Sequence, residues 1–353
     1  MSADTAVADR SVAAPVRVGE ARSSAALGTR RLRIRYAIVL TALIVAAAGC
    51  GFGYLAIGNP MPFGTDGFWR IAELRATSIV VMALVAVSQA IGTVSFQTVT
   101  NNRIITPSVL GFEALYVVIQ TGAVYFFGAS GIIALQGRGQ FALQVAAMVA
   151  LAVVLYGTLL TGRYANLQVM LLIGIVIGVG LTSVSTFMRR LLTPSEFDVL
   201  AARMFGSVAN ADEDYLPVAV PLVVGATALL WWRARRLNAL SLGPDAAANL
   251  GLRPRRELII VLVLVSVLIA VSTALVGPMT FLGFLIATLA YQFADTYDHR
   301  RIFPIAALTG FVVLSGAYFL MKNVFYAQGL VSIIIEFVGG AVFLTVIVRK
   351  GRL

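Results

Sequence analysis

Charged residues are scarce in this sequence. Only 12% of its 353 residues are Asp, Glu, Lys or Arg, whereas 59% are hydrophobic. A soluble domain of ordinary composition carries about 25% charged residues. The chain therefore lacks the polar surface that a water-facing globule of this length needs. This composition excludes a large soluble protein and predicts a membrane protein.

Cysteine and histidine are each present once. Cys50 has no second cysteine to pair with, which excludes an intramolecular disulfide and a cysteine-based metal site. His299 is the only histidine, which removes most histidine-based catalytic and metal-binding arrangements. Its acidic neighbours Asp295 and Asp298 would make a poor iron site by themselves. We therefore expect no metal site, and we expect Cys50 to be a packed, inert thiol.

A G-x-x-x-x-G-K-[ST] phosphate-binding loop is also missing, so the chain cannot hydrolyse ATP by that device. The net charge of +11 comes mostly from arginine. A basic balance can indicate nucleic-acid binding, but these arginines form short clusters between apolar runs without interleaved aromatic residues. Such clusters are typical of the positive-inside rule of membrane proteins. We therefore expect contact with lipid and no nucleic-acid partner.

Long apolar runs fill most of the chain. A spanning helix needs about 20 mostly apolar residues. Ten such segments occur at about 36–57, 76–98, 111–128, 140–161, 167–188, 214–232, 257–276, 278–295, 303–321 and 329–348. The segments 257–276 and 278–295 are counted separately because the apolar stretch 258–294 is too long for one crossing. The Gly277-Pro278 pair within it favours a turn. The predicted fold class is all-α, a polytopic membrane protein with about ten transmembrane helices.

The charges of the connecting segments predict an orientation. Residues 1–35 are rich in Ala, Ser and Arg and are expected to form a disordered basic cytoplasmic tail. If this end lies inside, the inner segments hold most cations, namely Arg103, Arg163, Arg233, Arg235, Arg236, Arg253, Arg255, Arg256, Arg300, Arg301, Arg349, Lys350 and Arg352. The outer segment 189–213 carries several carboxylates. Residues 36–350 would then form one ten-helix domain with both termini cytoplasmic.

The basic inner segment at 233–256 contains its own short helical pattern. In "LGPDAAANLGL", from Leu242 to Leu252, Asp245 can cap or favour a helix start, and Gly251 can end the helix. Such a helix could fit a cleft on a soluble partner and carry that partner's motion into the membrane. It could equally be an amphipathic connector without a partner, and the local pattern does not decide between the two.

Three stretches together resemble a known family. They are "NRIITPSVLG" (102–111), "LGPDAAANLGL" (242–252), and "VGPMTFLGFLIATLA" followed by "DHRRIFPIAALTG" (276–310). Their order and spacing resemble the FecCD-type permeases, the membrane subunits of ABC importers for ferric siderophores, haem and cobalamin. The resemblance covers about 36–350. The form of the first stretch looks most like permeases for ferric catecholate-type siderophores, with haem or cobalamin as the alternative cargo.

The resemblance implies partners and a division of labour. The permease domain would dimerise with a second permease, identical or related, around a central pathway. Separate ATPase subunits would bind ATP beneath it, so this chain would hold no cofactor, and an extracytoplasmic binding protein would deliver the siderophore. The segment at 234–256 would be the loop that couples to the ATPase, through Leu242, Gly243, Pro244, Asp245, Ala248, Leu250, Gly251 and Arg253.

The resemblance also assigns two further sets of residues. Arg75 and Lys322 match arginines that would meet carboxylates of the binding protein, although Lys322 is a lysine and a second outer arginine is replaced near Ala72. Family members often carry Pro-His where this chain has Ala287-Thr288. The residues expected at the pathway or the subunit interface are Gln97, Asn102, Pro107, Gly178, Glu336 and Gly340.

Ordinary helix packing competes with several of these roles. An amide in an apolar helix more often bonds a neighbouring helix than a cargo molecule, which applies to Gln89, Gln97 and Gln120. Glu336 could line the pathway or form a packing hydrogen bond. A different class, an ion-coupled secondary transporter, would show internal repeats and more intramembrane carboxylates. An enzyme in the membrane is least supported because the sequence offers one histidine and one cysteine.

Overall fold

The computed structural model describes residues 27–57, 59–134, 137–161, 167–208, 211–323 and 331–350. In these ranges the chain forms thirteen α-helices and no β-strand. The helices are α1 (Arg30–Ala56), α2 (Asp66–Val99), α3 (Phe112–Ala134), α4 (Arg138–Thr161), α5 (Leu167–Arg190), α6 (Pro194–Met204), α7 (Leu216–Trp232), α8 (Ala234–Leu240), α9 (Pro244–Asn249), α10 (Pro254–Val276), α11 (Leu282–Ala294), α12 (His299–Asn323) and α13 (Val331–Lys350).

Ten of these helices coincide with the ten predicted apolar segments, which confirms the predicted fold class. Seven helices are long and apolar enough to cross a bilayer, and α3, α11 and α13 contain shorter apolar stretches. The number of crossings and the cytoplasmic position of both termini stay predictions. The first 26 residues of the predicted tail lie outside the described residues.

Two helices begin six or more residues earlier than their apolar runs predict. Helix α1 starts at Arg30, where the Thr29 hydroxyl accepts a hydrogen bond from Leu32 N–H, so residues 30–35 are helical. Helix α2 starts at Asp66, ten residues before the predicted boundary, and the Thr65 hydroxyl accepts from Phe68 N–H. The capping side chain satisfies an orphan N–H group at each start. A cap therefore sets these boundaries, and the apolar pattern alone cannot locate them.

Helix α2 is the centre of the fold. It packs against α10, α12, α11 and α7, and nearly every residue from Val81 to Thr98 is buried. Its Gln89 side chain bonds to a neighbouring helix, since the amide donates to Ser272 Oγ of α10 at 3.1 Å. Gln120 of α3 likewise donates to Gln144 Oε1 of α4 at 3.2 Å. The packing interpretation is therefore confirmed for these two amides.

The outer segment 189–213 was expected to be a polar loop, but part of it folds as α6. Thr193 precedes this helix, and its N–H and hydroxyl both donate to Glu196 Oε2, at 2.9 and 2.8 Å. These two hydrogen bonds hold the pKa of the Glu196 carboxyl below its usual value. The capping interaction is therefore present at neutral pH and is lost as the pH falls through that lowered pKa.

The connection between α2 and α3, residues 101–111, turns back along the helices instead of staying at the end of α2. Helix α2 ends with Asn101 in the left-handed region at φ 48°, and Asn102 N–H donates to the Gln97 carbonyl at 3.1 Å. Thr106 and Ser108 are buried. The segment reaches Gly111, which lies against Gly178 at the midpoint of α5. Helix α3 therefore begins beside the middle of α5, and we call residues 101–111 the return segment.

The backbones of Gly111 and Gly178 approach each other closely, and the left-handed backbone of Gly111 favours glycine there. Gly111 has φ +87°, and a Cβ atom there would lie 3.3 Å from the Gly178 Cα atom. We predict that Gly111→Ala lowers the free energy of unfolding by about 1–2 kcal/mol from the left-handed backbone alone, with a further loss from the contact. Thermal unfolding in detergent measures this change.

Gly180→Ala is the matched control, because a Cβ atom at Gly180 would meet nothing within 4 Å. It should leave the unfolding temperature unchanged or raise it slightly, since alanine favours the helix over glycine. Equal losses of stability in the two variants would contradict the assigned contact.

Candidate functional site

A cavity of about 840 Å³ opens between α3 and α5. It is lined by Glu113, by the backbone of Gly111 and Gly178, and by the hydroxyl residues Ser108, Thr182, Ser183 and Thr186. We call it the Glu113 cavity. The Glu113 Oε2 atom accepts from the Thr280 hydroxyl at 2.6 Å, and Oε1 is buried without a hydrogen-bond partner among the described residues. The structure thus places the Glu113 carboxylate against a cavity wall.

Glu336 lies on an exposed face of α13, and Glu113 is its electrostatic neighbour. Helix α13 packs against Phe281 at Gly339, where a Cβ atom would lie 2.6 Å from Phe281 Cβ. A Cβ atom at Gly340 would meet nothing within 4 Å, so Gly339 packs closely against another part of the chain and Gly340 does not. Glu336 and Gly340 thus remain available to a pathway or to a second subunit.

Gln97, Asn102 and Pro107 build the return segment. The buried Gln97 side chain donates to the Arg103 carbonyl at 2.7 Å, and Asn102 Oδ1 accepts from Ile104 N–H at 2.9 Å. Pro107 begins a short 3-10 helix, Pro107–Leu110, that leads into Gly111. These three residues hold the return segment in its place, and their role as direct contacts of a cargo stays a prediction.

The second cavity, of about 1010 Å³, lies at the other end of the return segment. It is bordered by Asn101–Ile104, by α8, and by the turn from Asp295 to Asp298 that follows α11. We call it the Arg103 cavity. The return segment borders one cavity at each end, and so does the chain from Pro278 through α11 to Asp295. Helix α11 has 13 residues and is about 20 Å long, so the two cavities lie about one helix length apart.

Helices α8 and α9 occupy the 233–256 segment, which confirms the predicted short helix. The predicted short helix is α9. The N-cap of α9 is Gly243, which has φ 99°, and Asp245 lies in the first turn of α9 without capping it. At the other end Gly251 has φ +82°, Gly251 N–H donates to the Ala248 carbonyl at 2.9 Å, and Leu252 N–H donates to the Ala247 carbonyl at 3.1 Å. This pair of bonds is a Schellman motif, so Gly251 ends the helix as predicted.

Two large apolar side chains flank α9 and remain uncovered. Leu242 is 67% exposed and Leu250 is 64% exposed, while Ala247 between them is buried. Arg253 is also exposed. A pair of exposed leucines beside a short helix is typical of a surface that a partner covers.

A buried ionic contact anchors this region to the helix core. Glu257 of α10 is 6% exposed and accepts from Arg233 and, at 2.6 Å, from Arg236. The two arginines flank the start of α8, so one carboxylate ties α8 to α10. Neither the sequence pattern nor the resemblance identified this contact, although the i, i+3 spacing of Arg233 and Arg236 is a visible signal.

A second set of hydrogen bonds joins α8 to α2 and α12 through the single histidine. Asn238 Nδ2 donates to Asp298 at 2.9 Å, so its Oδ1 faces His299 Nδ1 at 2.5 Å. His299 Nε2 lies 2.7 Å from the Thr98 hydroxyl of α2. Because Asn238 Oδ1 can only accept, Nδ1 carries the hydrogen. His299 therefore bonds within the fold, and the described residues contain no group of three His, Cys, Asp or Glu that could hold a metal.

Arg75 and Lys322, the two predicted docking cations, lie together at the opposite end of the molecule. Arg75 Nη1 donates to the carbonyls of Tyr54, Leu55 and Ile57 at 3.0–3.2 Å, which caps the end of α1. The Lys322 ammonium lies 5.6 Å from the centre of the Tyr54 ring and is exposed. Arg75 thus has a structural role that the sequence did not reveal, while Lys322 is open to a partner.

Among the described residues, seven helices long and apolar enough to cross a bilayer define a multi-pass membrane protein. The chain matches the FecCD transport family over residues 62–349 and belongs to that family. It is a multi-pass permease of the cell membrane. It is 51% identical over 334 residues to the petrobactin import system permease protein FatC of Bacillus anthracis, covering 95% of this chain and 94% of that one.

Two further comparisons agree with this assignment. The petrobactin import system permease protein YclO of Bacillus subtilis (strain 168) is 35% identical over 302 residues, covering 86% of this chain and 96% of that protein. A solved structure described as an inward-facing ABC transporter assigned to the metal-chelate type has a TM-score of 0.76 at 19% identity. It covers 89% of this chain and 99% of its own, which supports the fold.

The Glu257 contact generates a stability prediction. Glu257→Gln leaves the partly buried Arg233 without its carboxylate, and we expect the free energy of unfolding to fall by about 3 kcal/mol. Denaturant titration of the detergent-solubilised protein measures it. Asp214→Asn, which removes the exposed pair with Arg138, is the control and should cost below about 1 kcal/mol. A loss for Glu257→Gln as small as the control's would show that the contact does not hold α8 in place.

Proposed function

We propose that this chain is the permease subunit of an ABC importer that moves a ferric siderophore of the petrobactin kind across the cytoplasmic membrane. The observation that most supports this proposal is the 51% sequence identity to FatC, which covers 95% of the chain. The Glu113 and Arg103 cavities, which border opposite ends of the return segment, support it as places where the cargo could be received. A separate ATPase binds ATP, and a second permease, identical or related, completes the pathway on the open faces of α5 and α13.

In this proposal, α9 and its flanking leucines are the surface that the ATPase subunit covers. The Schellman end at Gly251 fixes the direction of Leu250, and the Glu257 contact transmits a push on α8 to α10. The Asn238–His299–Thr98 bonds connect the same push to α2 and α12. Movement of α9 would therefore reach helices on both sides of the return segment.

Asp245→Asn, Leu250→Ser and Gly251→Val should each reduce ATPase stimulation and uptake, by about tenfold for Leu250→Ser, because central apolar anchors dominate interfaces. Membrane insertion should be unchanged. The assay is ATP hydrolysis and siderophore uptake in proteoliposomes that contain the complete transporter. Leu74→Ser is the control, since Leu74 is 70% exposed but lies on the early part of α2. Unchanged ATPase association and uptake in all three variants would make the coupling assignment wrong.

The docking surface for the siderophore-binding protein is proposed at Lys322, with Arg75 beneath it. An exposed ammonium attracts carboxylates of a partner mainly through long-range charge. Because Arg75 is occupied in capping α1, Lys322 is the better single test of this surface.

Lys322→Glu should weaken association of the binding protein by about fivefold at low salt, with a smaller effect at high salt because exposed charges are screened. Binding to the transporter in nanodiscs at two ionic strengths measures this. Lys322→Arg keeps the charge and should bind as the wild type does. Equal affinity of Lys322→Glu and wild type at low salt would remove Lys322 from the docking surface.

An ion-coupled secondary transporter is the alternative class. It predicts uptake that follows the membrane potential and needs no partner ATPase. Proteoliposomes with an imposed potential but without ATP separate the two mechanisms, and our proposal expects no uptake in them.

A further inference from the structure

The Arg103 cavity carries more positive charge than its surroundings neutralise. Three of its lining residues are exposed arginines: Arg103, Arg235 and Arg300. We propose that this cavity binds the anionic oxygens of the metal chelate on its way to the cytoplasm, with Arg103 as the residue that selects negative charge. This inference rests on the proposed transport function and adds a cargo site and a charge preference to it.

The two carboxylates of the cavity are already paired with cations outside its lining. Asp295 Oδ2 accepts from Arg35 Nη1 at 2.6 Å. Asp298 lies 3.6 Å from Arg301 Nε and also accepts from Asn238. Among the described residues, no ion pair is formed by any of the three lining arginines. The cavity thus has a surplus of guanidinium groups, which attracts an anion.

Arg103 is held in position before any ligand arrives. Its guanidinium carbon lies 4.5 Å from the centre of the Tyr291 ring and 5.6 Å from that of Tyr297. Its carbonyl accepts from Gln97, and Asn102 fixes the turn that follows α2. An arginine presents a planar fork of N–H donors that matches two oxygens of an anion. Since stacking on tyrosine rings leaves the edge of that fork open, Arg103 is pre-organised to bind oxyanions.

The size and place of the cavity favour a cargo molecule over a lipid headgroup. Its volume of about 1010 Å³ is at the upper end of the usual range for small-molecule sites. It borders the same two chain segments as the Glu113 cavity, which places Arg103 beside the return segment. Iron(III) surrounded by catecholate and carboxylate oxygens carries net negative charge, because these oxygens outweigh the charge of the ion.

The test measures binding to the complete, nucleotide-free transporter in phosphatidylcholine nanodiscs. The anionic probe is ferric enterobactin, a tris-catecholate chelate, and the comparison probe is ferrioxamine B, a hydroxamate chelate without net negative charge. Equilibrium dialysis with labelled iron gives both affinities.

We expect Arg103→Gln and Arg300→Gln to weaken binding of the anionic chelate, by about tenfold for Arg103→Gln, and to leave ferrioxamine binding unchanged. Arg103→Lys should restore part of the loss.

Arg31→Gln is the matched control, because it removes one exposed arginine from the start of α1, outside the cavity. It should bind both probes as the wild type does. Equal weakening by Arg31→Gln, or equal loss of both probes in Arg103→Gln, would overturn the proposal in favour of a general effect of charge or of folding. Unfolding temperatures of all variants are recorded, and Arg300→Gln replaces Arg103→Gln if the latter is unstable.

A second pair of measurements separates the remaining outcomes. If an anionic lipid occupies the cavity, phosphatidylglycerol in the nanodisc will compete with the chelate in the wild type but not in Arg103→Gln, and siderophore uptake will be equal in both. That result would overturn the cargo site. ATP-driven uptake of the siderophore by the wild type tests the proposed function separately. If the wild type transports and Arg103→Gln transports equally well, only the cargo site fails.

Discussion

The contact between Gly111 and Gly178 is the constraint on which the rest of the structure depends. It allows a non-helical stretch of chain to lie against the middle of α5. Non-helical backbone inside a membrane protein is tolerated where the protein surrounds it or where it lines a cavity. The return segment meets both conditions, because Thr106 and Ser108 are buried and each end borders a cavity. The close approach of these two glycines therefore lets α3 begin at that depth.

The same arrangement explains how a push from outside the membrane could reach the pathway. Helix α8 is tied to α10 by Glu257, and to α2 and α12 by Asn238 and His299. Helix α2 leads directly into the return segment, whose first residues are positioned by Gln97 and Asn102. Polar contacts that are buried and satisfied hold parts of a structure in one fixed arrangement. A short chain of such contacts therefore links α8 to the helix that leads into the return segment.

Much of the fold could be predicted from the sequence, since apolar length determines where a helix can cross a bilayer. All ten apolar segments are helical, and the glycine that ends α9 was identifiable because only a left-handed residue completes that motif. Helix starts at Arg30 and Asp66 were missed because threonine caps, and not hydrophobicity, set them. The partners of Gln97, Arg75 and Glu113 could not be predicted, since each bonds to a group that only the tertiary fold brings near.

The central claim is that this chain forms an ATP-driven path for a ferric siderophore. The most direct measurement is uptake of iron-labelled petrobactin into proteoliposomes that contain this permease, its partner permease, the ATPase and the binding protein. The account predicts uptake that requires ATP inside the vesicles, stops when the ATPase is omitted and is unaffected by collapsing the membrane potential. Uptake that continues without the ATPase and follows the potential would contradict it.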